Sequence, residues 1–476
     1  MYWRKNMKVV EKQVRMTLCE EPLPIQYDDF PAFTKEDYQE RIERLWKMEQ
    51  AQNYDFIIIY GDREHFSNVD YFTGYDVRWE ETLLILQREK VPTLLVGNEG
   101  RGYVNEMVTD LNIELYQTFS LMGTPNDERS KKLKDILVDS GLKEGSRIGL
   151  IGWKEYRRKL FSENQLLTDV PYYIVTAIAE ITGLEQIQNA VGLLCNCEYG
   201  LKHTLTAKEI IHFELSGTKT SRGVYNCIKH ARPGLREIEV AAFLNLDGEP
   251  QNLHPTVNFG QRHVAAGIGS ATYDQKLEYG MPMGIGYGLR GSLIHKSGMY
   301  IRNMSDLSEE EHGYLDKFLK PYFAATAKWY EMSKIGVTCG ELYRMVDEIL
   351  GIKKFGIGLV PGHFTHTDEW TNSPFTSTSD IRLHSGMALQ CDFAVGFTDP
   401  FMSAHIDDGY AIADSGLQNE IRQLSPTAYE RFQKRRSFMK AVLNIQLPDE
   451  VLPLSDIPGV CFPFMADTSV IFAIDA

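Results

Sequence analysis

The chain has 476 residues, 43% hydrophobic and 24% charged, with a formal net charge of −15. The composition is that of a folded globular chain, and the length exceeds what one core usually holds, so two domains are expected. The acidic balance excludes nucleic acid and anionic membrane as partners, since both select basic faces, and no apolar run nears the roughly 18–20 residues that span a bilayer.

Residues 1–21 carry basic groups and no apolar core, which is not the pattern of a secretory signal. A polar helix is expected over 35–52. Short apolar runs at 56–60, 82–86, 92–96 and 147–151, bounded by turn residues, read as buried strands. A helix fits 131–140, and Gly97-Asn98-Glu99-Gly100 reads as a loop. Together these describe an α/β domain over 1–190, with a linker near 189–199. The seven cysteines are scattered, as expected of reduced thiols in the cytoplasm. Cys195-Asn196-Cys197 is the one close pair, without a second Cys/His pair at zinc-site spacing.

The second half, 191–476, reads as α+β. Thr206 with Glu209 forms a capping box ahead of Ile210, Ile211 and Phe213, and Pro233-Gly234 ends that helix. Ser308 with Glu311 repeats the signature before Tyr314, Phe318, Tyr322 and Trp329. Thr338 with Glu341 opens a third helix, closed by Gly351. Between them lie two strand segments that both begin Gly-Met, at Gly280-Met281 and Gly386-Met387. At matching offsets the second carries Asp392 and the first carries Gly286. The repeat implies two similar halves, one bearing acid and one stripped of it.

Candidate chemistry concentrates in Gly362-His363-Phe364-Thr365-His366-Thr367-Asp368-Glu369-Trp370. Histidine suits proton transfer near neutral pH, and adjacent acids can orient and charge it; a hydrogen-bonded core turn is the other reading of the same residues. Asp392 sits in an apolar strand, where a carboxylate needs a partner, and Asp407-Asp408 follows. The expected catalytic set is therefore His363, His366, Glu369, Asp392 and Asp407. Arg262, which could fork onto a carboxylate, joins His263, His254 and His295 as candidate substrate-binding residues. No phosphate-binding glycine loop or nucleophile elbow stands out.

These residues, in this order, resemble the creatinase/aminopeptidase P group of M24 peptidases, the pita-bread fold. Asn68-Val69-Asp70-Tyr71-Phe72-Thr73-Gly74, residues 202–209, Pro233-Gly234-Leu235-Arg236-Glu237, Gly362-His363, the strand from Gly386 to Asp392 and Ile406-Asp407-Asp408 carry the likeness. The resemblance implies an α/β N-terminal domain, a pita-bread C-terminal domain and a homodimer. Metal-dependent members hold two divalent ions with two aspartates, a histidine and two glutamates. Here His363 matches the histidine, Asp392 and Asp407 the glutamates, and the aspartate positions fall on Gly286 and near residues 297–299. Too few acids remain for two ions, so the expectation is a metal-independent, creatinase-like hydrolase of a C–N bond in a small amide, amidine or short peptide, with no cofactor. The alternatives are an Xaa-Pro aminopeptidase or prolidase type using Mn, Zn or Co, and a non-catalytic binding relative.

Overall fold

Strands form where apolar runs can be covered on both faces, and helices where a capped turn precedes an apolar stripe. In this computed structural model, residues 14–19, 21, 30–123, 130–156, 160–162, 165–395 and 399–475 are described. Most of the start read above for a signal lies outside them. The chain divides into two compact units, Ala32–Lys202 and Met1–Pro31 with His203–Ala476. The first strand, β1 (Val14–Leu18), pairs antiparallel with the last, β15 (Val470–Ile474), which is why the N-terminal residues group with the C-terminal unit.

In Ala32–Lys202, six strands form one mixed sheet: β2 (Phe56–Gly61), β3 (Thr82–Gln87), β4 (Thr93–Val96), β5 (Asn112–Leu115), β6 (Ile148–Ile151) and β7 (Ile187–Asn189), in the order β5-β4-β3-β2-β6-β7. Side chains alternate across β2. Ile57 and Ile59 pack with Leu45, Trp46 and Phe72, while Phe56, Ile58 and Tyr60 pack with Ile136, Leu137, Ile174 and Ile178. Both faces are buried, so the strands read as continuous apolar runs. The expected first helix is shorter, Lys35–Lys47, because Met48 turns extended at ψ 138°.

In the other unit a larger sheet is built from β8 (Gln251–Phe259), β9 (Met281–Leu289), β10 (Ser292–Tyr300), β11 (His363–Phe364), β12 (Ala388–Asp392) and β13 (His405–Ile412). Their order is β11-β12-β13-β10-β9-β8, and β14 (Val451–Pro453) also pairs with β13. The two Gly-Met segments open β9 and β12, and each of those strands pairs antiparallel with the next in sequence. Gly280 and Gly386 have φ of +87° and +93°, which glycine adopts without a Cβ penalty. The repeat in the sequence is thus a repeated bend into a strand.

The helix Ala207–His230 starts at the expected box: Thr206 N donates to Glu209 Oε2 at 2.8 Å and Glu209 N donates back to Thr206 Oγ1 at 3.3 Å. Thr338 and Glu341 cap Cys339–Leu350, which ends at Gly351 with φ +69°. Ser308 departs from expectation. Its box closes only the short 3-10 turn Glu309–Glu311, and the regular helix Lys320–Met332 begins after a wider turn over Tyr314–Leu319. Pro321, which has no amide hydrogen to give a preceding turn, sits at the first positions of that helix.

Aromatic side chains of this helix anchor the strands that carry the candidate site. Trp329 Nε1 donates to Tyr410 Oη at 2.9 Å, and Tyr322 Oη donates to the Phe393 carbonyl at 2.9 Å while accepting from Ile406 N at 2.8 Å. These bonds hold the end of β12 against the start of β13. Among the described residues, no helix is long and apolar enough to cross a membrane.

Candidate functional site

Residues two apart on a strand share a face, so His405 and Asp407 of β13 project together, and Ile406 and Asp408 project to the other side. Register sets their neighbours. Asp392 lies opposite Asp407, His295 opposite Asp407, and Ser297 opposite His405. Beyond β10, Gly286 lies opposite His295 and Gly284 opposite Ser297. On the far side of β12, His363 lies opposite Gln390. One face of the sheet therefore carries His363, Asp392, Asp407 with His405, then His295 with Ser297, then two bare glycines. On the reverse face Lys296 pairs with Asp408, whose Oδ2 also accepts Gly459 N at 2.8 Å.

His405 Nε2 is 2.6 Å from Asp392 Oδ1. His363 Nε2 is 3.1 Å from Glu369 Oε1 and 3.9 Å from Asp392 Oδ2. Its Nδ1 lies 3.1 Å from the Phe364 carbonyl, an acceptor only, which assigns the hydrogen to Nδ1. The Trp370 ring stacks on the imidazole at 4.2 Å. Burial opposes charge on His363, but Glu369 and Asp392 outweigh it and raise its pKa. Asp392 is likewise opposed by burial, yet the His405 hydrogen bond and the His405 and His363 charges hold it below the ordinary aspartate range. Asp407 goes the other way. Burial and then the charges of Asp392, Glu369 and Asp408 push it well up, with Lys296 only partly offsetting them. Burial first, then the positive neighbours His405 and Lys296, push His295 well below the usual histidine range.

Two carboxylates face each other across adjacent strands, and they cannot both ionise without a cation. Asp407 Oδ1 is buried and has no hydrogen-bond partner among the described residues. Asp392, His405 and Asp407 bring one ligand atom each to within 4.8 Å of one another. A divalent ion bonds such atoms at about 2.0–2.2 Å, so one ion between them would satisfy the orphaned oxygen and neutralise the pair. The residues fit a metal.

No protein-family model and no curated protein matches the sequence. Solved structures do match the fold. The prolidase from Thermococcus sibiricus superposes with a TM-score of 0.61 at 14% identity, covering 79% of this chain and 95% of that one. The Xaa-Pro dipeptidase from Bacillus anthracis gives 0.58 at 16% identity, over 80% and 96%. The X-Pro aminopeptidase from Thermotoga maritima gives 0.58 at 15%, over 78% and 95%. The chain has the pita-bread fold of the prolidases.

Within this prolidase fold the expected residues separate into two groups. His363, Glu369, Asp392 and Asp407 come together, and His295, expected to bind substrate, lies beside them with its ring 4.5 Å from that of His405. His366 is turned toward the start of the helix Ala207–His230, with Nε2 3.5 Å from Glu209 Oε1 and its ring edge-on to Phe213. His263 Nδ1 engages the buried Glu237 at 2.8 Å, His254 Nε2 the Ile268 carbonyl at 3.0 Å, and Arg262 is exposed. His405 has no role in the sequence reading. Its signal was available, as a histidine two residues before an aspartate in a strand, the spacing that puts both on one face.

The expectation of no cofactor is corrected. It rested on counting acids for two ions, and it gave His405 no part as a nitrogen donor beside Asp392 and Asp407. The Asp392–His405–Asp407 cluster, inside the fold of the prolidases, contradicts a metal-free site.

Proposed function

We propose that this chain is a metal-assisted hydrolase of short peptides, with Xaa-Pro dipeptides as the substrate class. The observation that carries the reading is a three-donor cluster, Asp392, His405 and Asp407, placed next to a histidine–glutamate pair. The substrate class is suggested by the names of the solved structures that share the fold: prolidase, Xaa-Pro dipeptidase and X-Pro aminopeptidase.

An ion held by Asp392, His405 and Asp407 would lower the pKa of a bound water or polarise the scissile carbonyl. The remaining work belongs to this chain's own side chains. His363 Nε2 and Glu369 Oε1 lie 3.1 Å apart, so a neutral imidazole beside that carboxylate can take a proton from the attacking water and pass it to the departing nitrogen. Trp370 covers one face of the imidazole and limits water there. Asp392 Oδ1 accepts a hydrogen bond from His405 Nε2 at 2.6 Å, which orients that ring.

The test is hydrolysis of Xaa-Pro dipeptides, followed by release of proline, with chelator-stripped protein reloaded with a divalent ion. Glu369→Gln is expected to lower kcat by about 10²-fold or more at unchanged metal content. Full activity in that variant removes the pair from the mechanism. An ion-loaded wild type that cleaves no Xaa-Pro dipeptide refutes the reading.

A further inference from the structure

We infer that the Asp392–His405–Asp407 cluster takes a single divalent ion of the zinc, cobalt or nickel class, held partly through imidazole nitrogen, and that His295 excludes a second ion. The inference rests on the metal-assisted reading only in using the same cluster.

A two-ion site holds its ions about 3.5–4 Å apart and needs oxygens on both sides of the pair. From Asp407, the face continues through β10 to β9, and neither strand offers an acid there. β9 presents Gly284 and Gly286. The His295 ring lies over both: a Cβ added at Gly286 would come 2.5 Å from its Cδ2, and one at Gly284 would come 3.2 Å from its Cε1. The imidazole thus fills the floor where further ligands would project. Ser297, two residues along β10 on this face, has its Oγ 2.6 Å from Ser403 Oγ. His295 Nδ1 is buried without a hydrogen-bond partner among the described residues.

Charge counting agrees. Asp392 and Asp407 balance one divalent ion, and the third donor, His405, is a neutral nitrogen when it binds metal. Imidazole in the donor set suits zinc, cobalt and nickel, whereas all-oxygen sets with water suit magnesium, calcium and manganese.

The full-length chain, stripped with chelator, is titrated separately with ZnCl2, CoCl2 and MnCl2 by calorimetry, and the cobalt form is examined by visible absorption. One ion per chain is expected, with the intense visible bands of low-coordinate cobalt. His405→Asp is expected to reduce the ratio of zinc to manganese affinity at least tenfold. Should that variant fail to fold, wild-type stoichiometry and the cobalt spectrum decide alone. Two ions per chain, no bound ion, or the weak bands of six-coordinate all-oxygen cobalt overturn the inference. The dipeptide assay separates the outcomes: two ions with proline release sinks this inference and leaves the hydrolase reading, while one ion without turnover does the reverse.

Discussion

Replacing Gly286 by alanine tests whether His295 really fills the space above β9. An added Cβ would stand 2.5 Å from His295 Cδ2 and 3.0 Å from its Cβ and Cγ, against 3.4–4 Å for ordinary contact. The ring has little freedom to withdraw, because it is buried and lies 4.5 Å from the His405 ring. Overpacking of this kind costs typically about 1–3 kcal/mol. Against it stands the ordinary gain from removing a strand glycine, about 0.5–1 kcal/mol. Gly286→Ala should therefore destabilise by about 1–2 kcal/mol in the wild-type background and stabilise by about 0.5–1 kcal/mol in a His295→Gly background, which removes the ring and the Cβ it would meet. The coupling between the two changes comes to about 1.5–3 kcal/mol, within the range for contacting residues. Equilibrium urea unfolding of the four proteins, dialysed against chelator so that bound ion does not contribute, measures it. Effects that add to within about 0.5 kcal/mol would refute the packing argument, since independent sites behave that way.

Two further outcomes follow from charged pairs that are not members of the cluster. Lys296→Met strands the buried Asp408 without its cation and should cost about 3–5 kcal/mol by the same unfolding assay; replacing both partners by apolar residues of similar size should recover most of that loss. Asp306, held at about 2 chiefly by hydrogen bonds from the Arg302 side chain and backbone, has a folded pKa below its unfolded value of 3.8. Its contribution is therefore present above the unfolded value and fades as pH falls toward the folded one. Arg302→Ala should destabilise at neutral pH and converge with wild type near pH 2, as read from unfolding midpoints across acid pH; a constant difference at all pH values would contradict the assignment.

Local pattern was enough for much of this molecule. The apolar runs that became β2, β3, β4 and β6 are flanked by turn residues, and the boxes at Thr206 and Thr338 are satisfied within four residues of chain, so neighbouring sequence carries their whole signal. The Ser308 box shows the limit, since a correct cap says where a helix can start and not how far it runs past Gly313 and Pro321. His363, Glu369, Asp392 and Asp407 were legible because acids and histidines crowd two short segments of an otherwise apolar region.

What only the tertiary structure decided is which of these groups share a space. His295 and Asp407 meet through the pairing of β10 with β13, and a one-residue slip in that register would send every side chain to the opposite face. The pairing of β12 with β13 gave His405 its place beside Asp392 and set two carboxylates face to face, while His254 and His263 have other partners and Arg262 is exposed. Counting acids along the chain could find too few for two ions. The count could not show that His405, rather than His363, completes a three-donor cluster with Asp392 and Asp407, because donor geometry is a property of strand register and burial, and neither is local.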